Sequence, residues 1–294
     1  MIKKIRLIYN PIAGKGKSEL ASKELESFLT AEGYSVVSSG AEELVQNEPL
    51  TPSLSQFDAL LLAGGDGTLM RLLPFLIQSQ TPVYMLPTGN ESLFAREFNM
   101  KQCSKTVLQT LKQNIVSKHY VPNANGIHFF TMLSIGLDAD IVATISEKRT
   151  GPLGHHGYVI PTLKSALRHK APRLTLRDSS KTLIDKQSGF LILTNNSQYA
   201  LKIPFVPEAD SSEKNICVRF FPYNNALGFV SLSLRTLLFG AQSSSSSYFE
   251  ADSFYVEASP EEAAAQADGD FISNTPLEIK IGSESINILL TSKN

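Results

Sequence analysis

The stretch Asp58-Ala59-Leu60-Leu61-Leu62-Ala63-Gly64-Gly65-Asp66-Gly67-Thr68 decides how this chain of 294 residues is read. Residues 58–63 form a short apolar run that stops at two glycines, as expected for a strand buried on both faces of a parallel sheet. Without a Cβ, glycines there let the backbone approach a ligand and adopt positive φ. The acid that follows is the unusual part. A carboxylate is a poor turn residue after a buried strand unless it handles a metal, a hydroxyl or a proton.

Working upstream, residues 5–9 read as a strand running into Asn10-Pro11-Ile12-Ala13-Gly14-Lys15-Gly16-Lys17-Ser18. Residues 18–32 have helical spacing, with Leu20, Leu25 and Leu29 near one face, and 34–37 read as the next strand. Downstream, 69–78 are helical, 82–86 a strand, and 92–98 and 104–114 helical. A third glycine turn, Pro87-Thr88-Gly89-Asn90-Glu91-Ser92, follows the last of these strands. Strands alternating with helices predict a Rossmann-like, parallel α/β nucleotide-binding domain over residues 1–117. Ligands of such sheets bind beyond the carboxyl ends of the strands. Three glycine turns there can aim backbone N–H groups and helix N-termini at one phosphate chain. Each turn alone also reads as an ordinary tight turn. The first is not a Walker loop, because Pro11 stands where that motif requires glycine.

The pattern changes near residue 115. Short apolar segments at 116–121, 126–133, 173–176, 189–194, 216–221, 253–257, 277–281 and 286–290 predict a β-rich, antiparallel sandwich domain over 118–285. Helical patterns interrupt it at 139–147, 158–168 and 227–239. The apolar run 227–240 is read as core rather than as a membrane or acyl-chain contact. The five serines 243–247 are read as a flexible loop. The tail from about 286 to 294 is expected to return to the first domain. His155 and His156 point in opposite directions on an extended chain, so they do not make a paired metal site; a substrate lid is the functional reading open to them.

Composition bounds the partners. Hydrophobic residues at 42% and charged residues at 19% suit a chain with real cores, and the length fits two domains. A net charge of −1 offers no basic field to nucleic acid or to anionic membrane, so any lipid contact has to be local and apolar. The two cysteines, Cys103 and Cys217, lack metal or disulfide spacing. Met1-Ile2-Lys3-Lys4-Ile5-Arg6 is too short and charged for a signal peptide, and no run of about 18 apolar residues occurs. The expectation is a cytoplasmic protein, with peripheral contact at a membrane surface; oligomeric state is not read.

Taken together, Asn10-Pro11-x-Ala13-Gly14-x-Gly16-Lys17, Gly64-Gly65-Asp66-Gly67-Thr68, and Pro87-x-Gly89 followed by Phe94-Ala95-Arg96 resemble the nucleotide loops of the diacylglycerol kinase and sphingosine kinase catalytic-domain family, which includes bacterial lipid kinases. Ser134-Ile135-Gly136-Leu137-Asp138-Ala139, Ser146-Glu147-Lys148-Arg149 and Gln266-Ala267-Asp268-Gly269-Asp270 continue the likeness in the family's order. The resemblance implies a two-domain kinase with its site in the cleft between domains, ATP and Mg2+ as cofactors, and a lipid hydroxyl as acceptor. It implies nucleotide contacts at Asn10, Pro11, Gly14, Gly16, Lys17, Gly64, Gly65, Asp66, Gly67, Thr68, Gly89, Asn90, Ser92, Arg149 and Asp268. Asp66 and Asp270 are the implied catalytic carboxylates, with Asp66 also at the metal.

The departures bear on activity. The family's Gly-Thr-x-Asn-Asp is Gly89-Asn90-Glu91-Ser92-Leu93 here, without the acid. Its Asp-Gly-Glu is Asp268-Gly269-Asp270, one methylene shorter, and a misplacement of ~1 Å can cost on the order of 10²-fold in rate. Its structural metal segment has an Asp-Gly after Pro-x-Ala; Pro207-Glu208-Ala209 is followed instead by Asp210-Ser211-Ser212-Glu213-Lys214. Two alternatives follow. One is a nucleotide-binding relative with weakened catalysis that acts through a partner. The other is an NAD kinase-like enzyme, which shares Gly-Gly-Asp-Gly-Thr but not the Asn10–Lys17 loop. A direct prediction is that Gly65→Val abolishes nucleotide-dependent thermal stabilisation while the melting temperature without nucleotide stays near wild type. Unchanged ATP affinity would move the site away from this loop.

Overall fold

The computed structural model describes residues 2–41, 54–89, 92–148, 169–198, 203–243 and 245–292. The chain divides into two units, Met1–Tyr120 with Glu284–Asn294, and Val121–Ser283.

The first unit runs β1 (Lys4–Tyr9), α1 (Lys17–Ala31), β2 (Ser35–Gly40), β3 (Ala59–Gly64), α2 (Asp66–Ser79), β4 (Val83–Pro87), α3 (Leu93–Glu97) and α4 (Ser104–Gln113). Strands β1 to β4 pair in parallel in the order β2-β1-β3-β4, with Lys4 opposite Ser35, Ile5 opposite Ala59 and Leu60 opposite Val83. Every residue of β3 is buried, which is why its sequence is apolar without alternation. The Asp58 carboxylate accepts the N–H groups of Lys3 and Lys4 at 2.7 and 2.8 Å and so fixes the start of β1 beside β3. The chain leaves β1 towards β2 and then returns to the other side of β1. The turns after β1 and β3 therefore flank the point where the strand order reverses, the place where open α/β sheets hold ligands.

The second unit begins within β5 (Ile115–Ala124) and ends within β15 (Leu277–Leu290). Between them lie β6 (Ile127–His128), β7 (Leu133–Ile135), α5 (Leu137–Lys148), β8 (Arg173–Arg177), β9 (Thr182–Thr194), β10 (Ile216–Pro222), α6 (Ala226–Phe239), β11 (Ser247–Ala251), β12 (Ser253–Ala258), β13 (Ala264–Ala267) and β14 (Asp270–Asn274). Pairing is antiparallel, in one run β14-β13-β7-β9-β10-β11 and another β9-β8-β12-β15. The long β9 serves both. It changes partners near Gly189, where an ideal Cβ would lie 2.4 Å from Phe220 Cζ and 2.6 Å from the Phe221 carbonyl oxygen. The neighbouring core is aromatic: Phe190, Phe205 and Phe221 are buried with ring centroids 5.3 Å apart for Phe190–Phe205 and Phe205–Phe221.

The architecture is the one expected: a parallel α/β region joined to antiparallel strands. Several particulars differ. The runs 277–281 and 286–290 are one strand, because the polar residues between them stay extended; Ile288 pairs in parallel with Val83 of β4. Strands β13 and β14 were not read, since alanines and polar residues there give no alternating apolar signal. Ser247, read as loop, opens β11. The helix expected at 158–168 and the pair His155-His156 lie outside the described residues. The run 227–239 is helical and core on one face alone: Ala226 and Leu232 join the aromatic core with Phe229 packed against it, whereas Leu227 is 73% exposed. An apolar period marks both faces of a helix, and only one face meets packing partners.

Gly189→Ala should overpack this junction at a cost of about 1–3 kcal/mol and lower the melting temperature by several degrees. Gly282→Ala, whose Cβ would meet nothing within 4 Å, is the control and should melt close to wild type.

Candidate functional site

The three glycine turns converge at the carboxyl ends of β1, β3 and β4. Asn10 joins the first two: its N–H donates to Ala63 O at 2.9 Å, its Nδ2 donates to Thr68 Oγ1 at 3.0 Å, and its Oδ1 accepts from Ile12 N at 3.1 Å. Ser18 Oγ, in the first turn of α1, donates to Ala63 O at 2.8 Å and holds that helix N-terminus beside β3. Gly14 has φ +60°, and a Cβ there would stand 2.7 Å from Thr88 O, so the first loop lies against the third. The N–H groups of Thr88 and Gly89 donate to Gly64 O at 3.1 and 3.2 Å. A Cβ on Gly89 would fall 2.8 Å from Gly65 Cα. Gly16, at φ +86°, precedes Lys17, which opens α1 and is exposed; Pro11 and Gly67 lie in the same cluster, with open space where a Gly67 Cβ would be.

Asp66 opens α2, but its carboxylate reaches the third loop. Oδ2 accepts from Leu93 N at 2.9 Å and Oδ1 from Phe94 N at 3.1 Å, capping the N-terminus of α3. Burial pushes its carboxyl above the ordinary carboxylate range, against the pull of these two amides and of the Arg96 charge. Where the family has an acid, Leu93 is buried and contributes its amide to Asp66.

Among the described residues, two hydroxyls in the cluster have no hydrogen-bond partner although their oxygens are buried: Thr88 Oγ1 and Ser92 Oγ. Ser92 is 6% exposed, and its oxygen lies 3.3 Å from the position of a Gly89 Cβ. A buried hydroxyl without a partner is costly. Thr88 was not among the sequence candidates; a hydroxyl directly after a buried strand in a glycine turn was the available signal. Asn90 and Arg149 lie outside the described residues.

In the second unit, the carboxylate of Asp268 is fully engaged. It accepts the N–H groups of Phe130, Thr131 and Met132 at 2.5, 2.8 and 3.0 Å and also the Thr131 hydroxyl. It works as a clamp on the segment before β7. Gln266 completes the turn, accepting from Gly269 N at 2.9 Å and donating to Ser134 Oγ at 2.6 Å. Asp270 is exposed at the start of β14.

Among the described residues no group of three or more His, Cys, Asp or Glu is arranged to hold a metal ion. Each Asp66 oxygen accepts one amide, which leaves each with a further lone-pair site. In the segment after Pro207, a guanidinium meets the one acid of Pro207-Glu208-Ala209. Arg219 is 3% exposed, donates from Nη2 to Glu208 Oε1 at 2.5 Å and lies 5.1 Å from the Tyr248 ring centroid. Burial raises the Glu208 carboxyl, but the Arg219 hydrogen bond and charge outweigh it and leave the group below its usual range.

Fold and loop cluster define an α/β unit with three glycine turns gathered at the strand-order reversal, joined to an antiparallel unit. Residues 4–121, which carry all three loops, match the family model of the diacylglycerol kinase catalytic domain. A diacylglycerol kinase of Mycobacterium tuberculosis is 25% identical over 75% of this chain and 78% of its own length. A solved structure from Bacillus anthracis str. Sterne, provisionally described as a diacylglycerol kinase, covers 98% of this chain and 95% of its own at 19% identity, with a TM-score of 0.73. The same fold recurs more distantly in an NAD kinase from Archaeoglobus fulgidus solved with ATP, with a TM-score of 0.53 at 15% identity over 99% of this chain and 94% of that one. The family supports kinase-type phosphoryl transfer.

Asp66→Ala should leave the amides of Leu93 and Phe94 without acceptors, at a cost of about 1–3 kcal/mol. Hydrogen exchange at these two amides should accelerate well beyond that of β3. Unchanged protection would show that the third loop is held by other means.

Proposed function

We propose that the protein transfers the terminal phosphoryl group of ATP to a lipid hydroxyl. The observation that carries this reading is the pair of buried, unpartnered hydroxyls, Thr88 Oγ1 and Ser92 Oγ, set among three mutually braced glycine loops. Phosphate oxygens are acceptors of the kind these groups lack. The N-terminus of α2 adds its amides and its dipole to the same place.

In this reading Asn10 and Thr68 brace the loops through their mutual hydrogen bond, while Gly14, Gly64, Gly65 and Gly89 keep the backbones close enough for phosphate to approach. Lys17 and Arg149 supply positive charge to the phosphates. The acceptor oxygen attacks the γ-phosphorus, the bond from that phosphorus to the β-phosphate oxygen breaks, and ADP leaves. A carboxylate takes the hydroxyl proton. Asp66 is the first candidate for that step, because its raised pKa brings it nearer to the working pH than an ordinary carboxylate. Asp270 is the second. Mg2+ would be held chiefly by the nucleotide phosphates, with Asp66 as the protein carboxylate that would meet it, and would offset charge on the transferred phosphoryl group. The acceptor class follows the relatives' names; the distant likeness to an NAD kinase makes NAD the competing acceptor.

Labelled ATP offered with diacylglycerol, sphingosine, phosphatidylglycerol or NAD tests the reading. Lipid turnover supports it, NAD turnover replaces the acceptor, and ATP binding without turnover leaves a nucleotide-binding regulator. The paired variant Thr88→Val with Ser92→Ala should weaken ATP binding roughly tenfold or more, since hydrogen bonds to charged groups contribute about 1.5–3 kcal/mol each. Its melting temperature without nucleotide should not fall. Wild-type ATP affinity in that variant would remove the carrying observation.

A further inference from the structure

Helix α6 turns an apolar face to solvent. Leu227, Val230, Leu234 and Leu238 follow one another at steps of three and four residues and are 73, 59, 55 and 63% exposed. Leu237, 48% exposed, adds to the face at the C-terminal end. The opposite side is seated in the protein: Leu232 and Thr236 are buried, and Phe229 packs on the aromatic core. Scattered exposed leucines are ordinary, but a continuous stripe along one helix face marks a surface that something covers.

We propose that this face of α6 rests in the interfacial layer of a lipid bilayer. The inference rests on the lipid acceptor proposed above, since an enzyme acting on a membrane-resident hydroxyl has to meet that surface. Charge favours a bilayer over a protein partner. Between Arg219 and Glu250 the sequence holds a single charged residue, Arg235, exposed beside the stripe. The exposed Lys170, bridged to Asn225 at the helix N-terminus, adds a second cation beside the stripe, and no carboxylate lies in the segment to repel lipid phosphates. The flanks instead carry uncharged polar residues, Asn224 and Asn225 before the helix and Gln242 and the serines after it. These are groups that sit readily at headgroup level, and Arg235 can extend its guanidinium to a headgroup phosphate while its stem stays with the leucines. At 14 residues the helix is about 21 Å long, so it lies along the surface rather than crossing. With a net charge of −1, attachment comes from apolar burial, and added salt or anionic lipid should change it little.

The chain contains no tryptophan, so Leu234→Trp installs a single reporter. Its emission should shift to the blue on adding vesicles of phosphatidylcholine, alone or mixed with phosphatidylglycerol, and the shift should survive high salt. The triple variant Leu227→Gln, Leu234→Gln, Leu238→Gln changes exposed positions. It should keep its melting temperature and lose vesicle partitioning by about tenfold or more. Absence of the blue shift, or a folded triple variant that partitions like wild type, overturns the proposal. So does a wild-type dimer that the triple variant converts to a monomer while neither binds vesicles, which would make the face an interface between copies. Leucine-dependent vesicle binding with no lipid phosphorylated upholds the docking face and rejects the lipid kinase reading. Turnover of a short-chain acceptor by a protein that ignores vesicles does the reverse.

Discussion

Between Gly65 and Gly89 the backbones of the second and third loops pass with no room for a Cβ on Gly89, which would stand 2.8 Å from Gly65 Cα. That approach sets the rest of the site. It brings the start of α3 within reach of the Asp66 carboxylate, places Ser92 Oγ beside Gly89, and leaves the first loop, through Gly14, lying against Thr88 O. A parallel sheet supplies the common end on which three turns can meet. The glycines supply the closeness. The hydrogen bond from Asn10 to Thr68 then locks two of the loops to each other.

The acids of the chain divide by environment. Asp66 and Asp268 share one device: a carboxylate that gathers backbone N–H groups from a segment distant in sequence and pins it. In both, burial raises the carboxyl against the pull of the donors. Asp66 does so inside the loop cluster, where a raised pKa is also chemically useful, and Asp268 does so in the antiparallel unit. Glu208 is different, because a buried guanidinium beside it supplies a full positive charge and holds it ionised.

Much of the parallel half was legible because β3 is apolar without alternation and each strand ends at glycine or proline. Strands β13 and β14 were not, since their side chains are small or polar and the backbone pairing that makes them strands leaves no apolar trace. The break assumed between residues 281 and 286 has the same origin: polarity was taken for a turn, whereas Gly282 to Ser285 remain extended within one strand. Helix α6 shows the opposite error. Its residues are apolar enough for a core, and nothing in their spacing says which side of the helix finds a partner.

The sequence by itself determined the alternation of strands and helices, the place of the three glycine turns and the kinship of residues 4–121, because these depend on local chemistry: buried runs, residues free of Cβ, and their order along the chain. Only the tertiary structure decided what the acids and hydroxyls do. Asp66 and Asp268 became clamps, Thr88 and Ser92 were left buried without partners, and the leucines of α6 were left in water. A side chain's role depends on what stands within about 3 Å of it. That neighbour lies 27 residues away for Leu93 and Asp66 and 138 for Phe130 and Asp268, separations that no local pattern encodes.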